Sequence, residues 1–439
     1  MAVEAQRRTE QSVRALVAVE MGYGHLRAAH ALATALGCEV LELDRAPLAS
    51  PHEHRLWGRV RAAYEFISRA SQLPYLGRPL RRLLETITFI PELYGARNQS
   101  RPTLGVRALE TMARRGLGQG IMDHLHRENA TLVTTFFAPA VIADYRGYPC
   151  TVCVVTDTDI NRVWVSRFAA HSAVHYCAPS ERAVKRLRTF GVPPASIHLT
   201  GFPLPPELLG GPELSELRRN LAARLVRLDP KGVFREQSRD ELGHFLGRLP
   251  DQEEGRPPLL TFAVGGAGAQ LAIAKQFLPS LRRPISQGRI RVALVAGVRR
   301  EAAGCFERWV REAGLDAHLG SEIEILCEGD FPSYYRRFNA LLARTDILWT
   351  KPSEMTFYGA LGIPLVFSWP VGGHERANRR WALHRGAGFK QESPRFAWEW
   401  LREWLHEGTL AAAAWSGYVR LPKFGTFRIA EVLEQVGAS

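Results

Sequence analysis

Two glycine-containing turns of this sequence carry the residue types that bind phosphate or move a proton. In the first, "VAVEMGYGHLRAAHALA", Gly22 and Gly24 lie between a strand pattern and a helix pattern, so the backbone N–H groups of the first helical turn can meet a ligand. His25 lies at this turn, and an imidazole there suits taking a proton from an attacking hydroxyl. A histidine that merely caps or packs the helix is the alternative, and the turn alone favours it.

The second turn, "LLTFAVGGAGAQLAIAKQF", again places glycines between a strand pattern and a helix pattern. Gly265, Gly266 and Gly268 suit a loop that wraps a phosphate with its backbone. They suit equally a close crossing of a strand and a helix without any ligand. The two turns together are more informative than either one alone.

A third segment, "LWTKPSEMTFYGALGIPLVF", starts with a strand pattern and then turns at a proline. Lys351 follows the strand, where its ammonium group suits a phosphate. Ser353 favours the start of a helix that we predict from Glu354 to Leu361. The spacing therefore predicts a diphosphate at this helix N-terminus.

The continuation "GGHERAN" opens a further turn and helix. It puts Glu375 and Asn378 one helical turn apart on one face, and the carboxylate suits the hydroxyls of a sugar. A surface turn without a ligand is the alternative. Dense turns within one segment make that alternative less favoured.

Composition limits the size and the partners of the protein. A chain of 439 residues exceeds one ordinary core, so two domains of roughly 200 residues are expected. The net charge of +13 favours an anionic partner, such as a phosphorylated small molecule or an anionic membrane surface. No zinc-finger or RNA-binding signature focuses this charge, so nucleic acid is the least favoured partner.

The location and metal content are predicted from what the sequence lacks. No apolar run approaches the roughly 18 residues of a spanning helix, and the first residues do not form a signal peptide. We therefore expect a cytoplasmic protein that contacts a membrane, if at all, from its inner face. The CxxC pair Cys150 and Cys153 lies in an apolar run without a second pair, so we expect no zinc site.

Strand and helix patterns alternate along both halves, which predicts an α/β fold of two doubly wound, Rossmann-like domains. Their parallel sheets would face each other across a cleft, with ligands at the carboxyl ends of the strands. The predicted divisions are a first domain at 1–205 with a helical insertion at about 51–115, a helical linker at 206–257 and a second domain at 258–439. The predicted strands are RALVAVE, CEVLELD, ATLVTTF, TVCVVTDT, AVHYCAPS, IHLTGFPL, LLTFAVGG, IRVALVAG, EIEILCEG, ILWTK and PLVFSW.

The order of the motifs resembles that of the two-domain glycosyltransferases of family 28, over roughly Val13 to Phe389. The sequence is similar to their lipid branch, the monogalactosyldiacylglycerol synthases and processive diacylglycerol glucosyltransferases, and more distantly to the peptidoglycan N-acetylglucosaminyltransferase. The resemblance implies the GT-B fold, a nucleotide-sugar donor on the second domain, an acceptor on the first and inversion without an essential metal. The motifs that carry it are GYGHLRAAHAL, VVTDTDINRVW, GVPPASIHLTGFPL, VGGAGAQ, KPSEMTFYGALGIPLVF and GGHERAN.

On this basis we expect a hexose to move from a nucleotide diphosphate sugar, with uridine as the favoured base, to a hydroxyl of a lipid-like acceptor. His25 is the candidate base or acceptor-positioning residue, with Asp157 as a weaker second. Asp157 and Asp159 form a DxD triplet typical of metal sites in the other major glycosyltransferase fold, but the resemblance puts Asp157 on the acceptor side without a metal. The acceptor-side turn comprises Gly22, Gly24 and Trp164, and the expected donor-binding residues are Gly265, Gly266, Gly268, Lys351, Ser353, Glu354, Glu375 and Asn378.

Three positions depart from the family pattern. The family carries a glutamate for the donor ribose eight residues after the motif lysine, where this chain has Gly359, and we expect Glu354 to replace it. Asn161 stands where the lipid branch has a histidine, and His374 stands where a glutamine is usual. These departures keep open a soluble small-molecule acceptor and a nucleotide-sugar-binding protein without transferase activity.

The insertion is rich in arginine and aromatic residues. An interfacial helix pair on anionic lipid and an ordinary helical subdomain both fit this composition. Membrane contact is the favoured interpretation, because the lipid-active relatives place their membrane-contacting segment in this part of the first domain. The residues concerned are Trp57, Tyr64, Phe66, Tyr75 and Phe89 among Arg55, Arg59, Arg61, Arg69, Arg81 and Arg82.

Overall fold

The computed structural model describes residues 14–19, 22–58, 90–91, 93, 99–247, 249, 256–264 and 270–437. The chain divides into two compact units. Unit 1 comprises Met1–Pro203, Gly372–His374 and Phe424–Ser439, and unit 2 comprises Leu204–Val371 and Glu375–Lys423.

Within the residues that the structure describes, each unit contains one parallel sheet. The strands are β1 Arg14–Ala18, β2 Val40–Glu42, β3 Thr131–Thr134, β4 Thr151–Val154, β5 Val174–Ala178, β6 Ile197–Leu199, β7 Leu259–Ala263, β8 Arg291–Gly297, β9 Ile323–Cys327, β10 Ile347–Thr350, β11 Leu365–Phe367 and β12 Gly388–Lys390.

The α-helices connect and cover these strands. They are α1 Tyr23–Leu36, α2 Leu104–Arg114, α3 Gln119–Glu128, α4 Phe137–Tyr145, α5 Glu181–Thr189, α6 Pro206–Leu209, α7 Ser215–Leu228, α8 Val233–Gln237, α9 Arg239–Leu246, α10 Ala272–Ser286, α11 Arg300–Glu312, α12 Phe331–Arg344, α13 Gly373–Leu383, α14 Ala397–His406, α15 Thr409–Arg420 and α16 Gly425–Gly437.

The sheet of unit 1 has the strand order β2-β1-β3-β4-β5-β6, and every pairing is parallel. Val17 of β1 pairs with Leu41 on one side and with Thr134 of β3 on the other. The chain leaves β1 towards β2 and later returns to the opposite side at β3, so the topological switch point lies between β1 and β3. The predicted α/β class is confirmed in this unit.

The sheet of unit 2 has the order β12-β11-β10-β7-β8-β9 and is also entirely parallel. Its switch point lies between β7 and β10. The predicted strands are all present, whereas β12 was not predicted because its three residues carry no alternation. The α/β class is therefore confirmed in both units.

The C-terminal helix α16 belongs to unit 1, although the sequence assigned 258–439 to the second domain. Its apolar residues Ile429, Val432, Leu433 and Val436 share one helical face and pack into a buried cluster with the sheet of unit 1. The helix starts in close contact with that unit, because a Cβ on Gly425 would lie 2.1 Å from the carbonyl oxygen of Phe202. The pattern showed an amphipathic helix but not which sheet it covers.

The helices predicted as a linker pack into unit 2. Arg224 of α7 is fully buried, and its guanidinium donates hydrogen bonds to the carbonyl oxygens of Thr345, Leu361 and Gly362 at 2.7–3.1 Å. Burial lowers the pKa of Arg224 to about 10. These bonds attach α7 to the core of unit 2 by side-chain contacts that a sequence pattern does not show.

Most of the arginine- and aromatic-rich insertion lies outside the described residues. Residues 51–58 are helical, and Trp57 is 4% exposed within a buried cluster of unit 1. Trp57 is therefore a core residue, which corrects its assignment to a lipid-facing surface. In the described part of the chain, none of the helices combines the length and hydrophobicity that crossing a bilayer requires.

Two histidines on neighbouring strands make the stability of unit 1 pH-dependent. His175 of β5 and His198 of β6 approach to 3.1 Å between Nδ1 and Nε2. Burial lowers the pKa of both imidazoles below the usual 6.5, and the charge of His175 lowers that of His198 further. Because the unfolded chain then binds protons more readily, this contribution is present above pH 6.5 and is lost as the pH falls through the folded pKa values.

We predict that the melting temperature of the protein falls on acidification below pH 6.5, the usual histidine value. The fall should be smaller in the double variant His175→Gln, His198→Gln, because an amide does not titrate. Thermal unfolding followed by circular dichroism at neutral and acidic pH measures both. An equal fall in the two proteins would show that other groups control the acid sensitivity.

Candidate active site

The first candidate site lies at the switch point of the unit 1 sheet, where ligands bind in folds of this class. His25 is in the first turn of α1, directly after β1. Its Nδ1 lies 2.8 Å from the carbonyl oxygen of Thr135, which follows β3, and 3.2 Å from Oγ1 of Thr156, which follows β4. Thr135 Oγ1 donates in return to the carbonyl oxygen of His25 at 2.8 Å. Three neighbouring strand ends therefore position one imidazole.

The contact with Thr135 fixes the tautomer of His25. A backbone carbonyl only accepts hydrogen bonds, so Nδ1 must carry the proton. In the neutral imidazole the lone pair then lies on Nε2, which is the form that a general base requires. The side chain is half-buried.

Aromatic rings surround this imidazole. The ring of Phe136 lies edge-on at 4.7 Å between centroids, and the ring of Trp164 lies at 6.2 Å. Trp164 belongs to a short 3-10 helix, Arg162–Trp164, which the Asn161 side chain caps by accepting from the Val163 N–H. The structure thus brings the predicted Trp164 to His25 and gives Asn161 a local structural role.

The turn before α1 requires glycine at one predicted position. Gly22 has φ 136°, in the region that side chains with a Cβ avoid, and it occupies the N-cap position. Gly24 lies within the first turn of α1. The first turn of α1 accordingly begins at the carboxyl edge of the sheet, and two of its positions, Gly22 and Gly24, lack a side chain.

The two carboxylates of the DxD triplet have different environments. Asp159 is buried and accepts from Nε of Arg182 at 2.5 Å and from Nε of Arg186 at 2.9 Å, so its charge is neutralised within unit 1. Asp157 is half-buried and follows Thr156, the residue in contact with His25. Among the described residues, no group of three histidine, cysteine or acidic side chains is arranged to hold a metal ion.

The second candidate site lies at the carboxyl edge of the unit 2 sheet. Lys351 follows β10, and its Nζ lies 3.1 Å from Oε1 of Glu375. Glu375 is 3% exposed and accepts a second hydrogen bond, from the backbone N–H of Val371 at 2.7 Å. Two residues predicted separately as phosphate and sugar ligands are therefore an ion pair.

The other predicted donor residues that the structure describes lie in the same region. Asn378 is fully buried, and its Nδ2 lies 3.3 Å from the carbonyl oxygen of Pro352. Ser353 and Glu354 are buried at the start of a helix over Glu354–Leu361, which is a 3-10 helix rather than an α-helix. His374 is half-buried in the first turn of α13. Gly265, Gly266 and Gly268 lie outside the described residues.

Sequence reasoning missed the role of Gln270, at the end of the second glycine motif. Gln270 has a left-handed φ of 73°. Its side chain donates to the carbonyl oxygen of Trp369 at 2.6 Å and accepts from Oγ of Ser368 at 2.5 Å. These contacts link the loop after β7 to the loop after β11, and the indole of Trp369 is 65% exposed at this edge. The motif contained Gln270, but no sequence signal indicated its partners.

The structure explains why no glutamate occupies position 359. A Cβ on Gly359 would lie 2.9 Å from Cδ1 of Leu421, and a Cβ on Gly417 of α15 would lie 2.4 Å from the carbonyl oxygen of Gly359. Helix α15 and the 3-10 helix are therefore in near backbone contact. A glutamate side chain does not fit between them.

We predict that Gly417→Ala lowers the free energy of unfolding by about 1–3 kcal/mol, because its methyl group would meet backbone rather than a flexible side chain. Gly304→Ala in α11 is the matched control, since nothing lies within 4 Å of its Cβ position. That change should stabilise the protein by about 0.5–1 kcal/mol through helix propensity. Urea unfolding measures both. A Gly417→Ala protein as stable as the parent would contradict the close packing of α15.

Comparison with known proteins gives one curated relative at low identity. The processive diacylglycerol beta-glucosyltransferase of Bacillus subtilis (strain 168) is 22% identical over 283 residues, which cover 63% of this chain and 60% of that protein. Its name is one of those that define the lipid branch to which the motifs are similar. The predicted resemblance is thereby confirmed, although the chain spans only about 60% of the length of this relative. No protein-family model matches the chain.

Solved structures give a distant likeness over nearly the whole chain. MurG of Acinetobacter baumannii is 13% identical with a TM-score of 0.49, and the match covers 96% of this chain and 99% of that one. The MnaA-UDP co-structure from S. aureus is 13% identical with a TM-score of 0.48 and coverages of 97% and 96%.

Proposed function

We propose that this chain is an inverting glycosyltransferase. It transfers a hexose from a nucleotide diphosphate sugar, with uridine as the base, to a hydroxyl of a lipid-like acceptor. Unit 2 binds the donor and unit 1 binds the acceptor. The curated relative, whose name states a diacylglycerol acceptor and a glucosyl group, supports the acceptor class.

The observation that carries this proposal is the position of His25. Its Nδ1 proton is donated to the carbonyl oxygen of Thr135, so Nε2 has the lone pair needed to take a proton from an acceptor hydroxyl. Removing that proton as the hydroxyl attacks the anomeric carbon raises its nucleophilicity. Asp157, in the turn after β4, is the weaker candidate for the same task.

The donor would be held at the switch point between β7 and β10. Lys351 supplies a positive charge for the diphosphate, and the start of the 3-10 helix at Ser353 and Glu354 adds backbone N–H groups. Glu375 and Asn378 face the sugar. In this scheme the diphosphate displaces Glu375 from Lys351. The Glu375 carboxylate then accepts hydrogen bonds from the sugar hydroxyls.

The remaining parts of the proposal concern location and cofactors. We propose action at the cytoplasmic face of a membrane, where a lipid acceptor is accessible and the positive net charge favours anionic lipids. We propose no essential metal, because Lys351 and the helix start neutralise the leaving diphosphate. The Glu354 carboxylate accepts hydrogen bonds from the ribose hydroxyls, since no carboxylate fits at position 359.

A transfer assay tests the proposal. Purified protein is incubated with labelled uridine, guanosine, thymidine or adenosine diphosphate hexoses and with vesicles that contain diacylglycerol. The expected result is a labelled glycolipid from a uridine diphosphate hexose, with and without a chelator. Transfer to a water-soluble alcohol alone would replace the lipid acceptor with a soluble one. Donor binding without any transfer would identify a binding protein and overturn the proposal.

A further inference from the structure

Unit 2 has an arginine-lined cavity at the edge of its sheet opposite to the proposed donor site. The cavity measures about 590 Å³, within the usual range for small-molecule sites of about 300–1,000 Å³. It lies at the amino ends of the strands, since Pro258 directly precedes β7 and Arg289 lies just before β8. Five arginines and one histidine line it, and no carboxylate does among the described lining residues: Arg227, Arg235, Arg256, Arg289, Arg402 and His406.

Three of these arginines form ion pairs with buried carboxylates. Asp346 is fully buried and binds Arg227 at 2.8 Å and Arg256 at 2.7 Å. Asp229, also fully buried, accepts from Nε of Arg235 at 3.3 Å. Backbone carbonyl oxygens accept further hydrogen bonds, from Arg256 to Arg344 at 2.7 Å and from Arg235 to Asp229 at 2.9 Å. These three guanidiniums are therefore fixed in position in the cavity wall, and their charges are largely neutralised by the fold.

Two further arginines add charge that no carboxylate of the described chain neutralises. Arg289 and Arg402 are exposed, and neither forms an ion pair with the described residues. The pKa of His406, which also lines the cavity, is lowered by burial and by the positive charges of Lys231 and Arg402. The cavity thus carries more positive charge than the carboxylates of the described chain neutralise.

The rest of the lining is apolar. Trp398 of α14, Leu405, Pro257 and Pro258 contribute it. Guanidinium groups recognise phosphate through paired N–H bonds, and an indole packs against flat or aliphatic groups. A ligand that satisfies both parts carries a phosphate and an attached organic group.

We propose that this cavity binds an organic phosphate, with the phosphate held by Arg289 and Arg402 and the organic part packed on Trp398. The ligand is either a soluble phosphate ester or the headgroup of an anionic phospholipid, since both present the same chemistry. Substrates of such folds bind at the carboxyl ends of the strands, whereas this cavity lies at the amino ends. The cavity is therefore a second site, for an effector or an anchor, separate from Lys351.

The test uses two probes on the intact protein. Phenyl phosphate is titrated calorimetrically, and cosedimentation is measured with phosphatidylcholine vesicles with and without phosphatidylglycerol. The double variant Arg289→Gln, Arg402→Gln removes the two unneutralised charges without breaking an ion pair. We expect it to weaken binding about tenfold or more. The double variant Arg282→Gln, Arg283→Gln loses the same charge from exposed positions of α10 and should change binding less than about twofold.

Each outcome decides the proposal. Phenyl phosphate binding that depends on Arg289 and Arg402 supports a soluble ligand, whereas binding to the anionic vesicles alone supports a lipid headgroup if it depends on the same two arginines, and vesicle binding that the double variant keeps overturns the proposal. Failure of the parent protein to bind either probe overturns the proposal, as does an equal loss in the control pair. A loss that instead follows Lys351→Met would place the probe in the proposed donor site and also overturn it.

Discussion

His25→Ala should lower the turnover number for hexose transfer by about 10²–10⁴-fold, the usual contribution of a positioned general base. The reason is geometric, because the Thr135 carbonyl oxygen holds Nδ1–H and so keeps the lone pair on Nε2. Alanine removes the proton acceptor but leaves unit 2 unchanged. Affinity for the nucleotide sugar, measured by calorimetry, should therefore stay nearly the same.

Two controls separate catalysis from helix packing. His30→Ala removes the same residue type from the same helix and should leave turnover within a few-fold of the parent. Thr156→Val removes only the 3.2 Å contact to Nδ1 and should cost less than His25→Ala, because the carbonyl of Thr135 still fixes the tautomer. If turnover of His25→Ala is near normal, His25 only packs the start of α1. Added imidazole should partly rescue the variant if the missing group is a base.

Much of the fold follows from the sequence because parallel strands buried on both faces are continuous apolar runs with turns at their ends. The same logic predicts the candidate sites, since the segments that follow such strands lie at the carboxyl edge of their sheet, as His25 does in unit 1 and Lys351 in unit 2. What the sequence did not show is which strand ends are neighbours. The contacts of His25 with Thr135 and Thr156 span 110 and 131 residues.

The errors have the same physical origin. An amphipathic pattern shows that a helix such as α16 has a buried face, but not which sheet covers it, and an aromatic residue such as Trp57 suits a core as well as a membrane surface. Gly359 stands where the family carries a glutamate, and the sequence gives no reason for its absence. Its closeness to Leu421 and Gly417 shows that packing of α15 determines the residue there.

Lys351→Met should weaken binding of uridine diphosphate by about 1.5–3 kcal/mol, the value of a charge-assisted contact with phosphate. The ion pair complicates this experiment, because Lys351 also neutralises Glu375, which is 3% exposed. Without the lysine, a nearly buried carboxylate loses its counter-charge, while the Val371 N–H still donates to it at 2.7 Å. The variant should therefore also lose stability, by roughly 1–3 kcal/mol.

The double variant Lys351→Met, Glu375→Gln separates the two effects. A neutral amide needs no counter-charge, so the double variant should recover much of the stability lost by Lys351→Met, as measured by urea unfolding. Its affinity for uridine diphosphate in calorimetry should remain low, because the phosphate still lacks its cation. Recovery of affinity together with stability would show that Lys351 acts only by neutralising Glu375, and the diphosphate would then have to bind elsewhere. Because the double variant should recover stability but not affinity, the comparison distinguishes a phosphate-binding lysine from a purely structural ion pair.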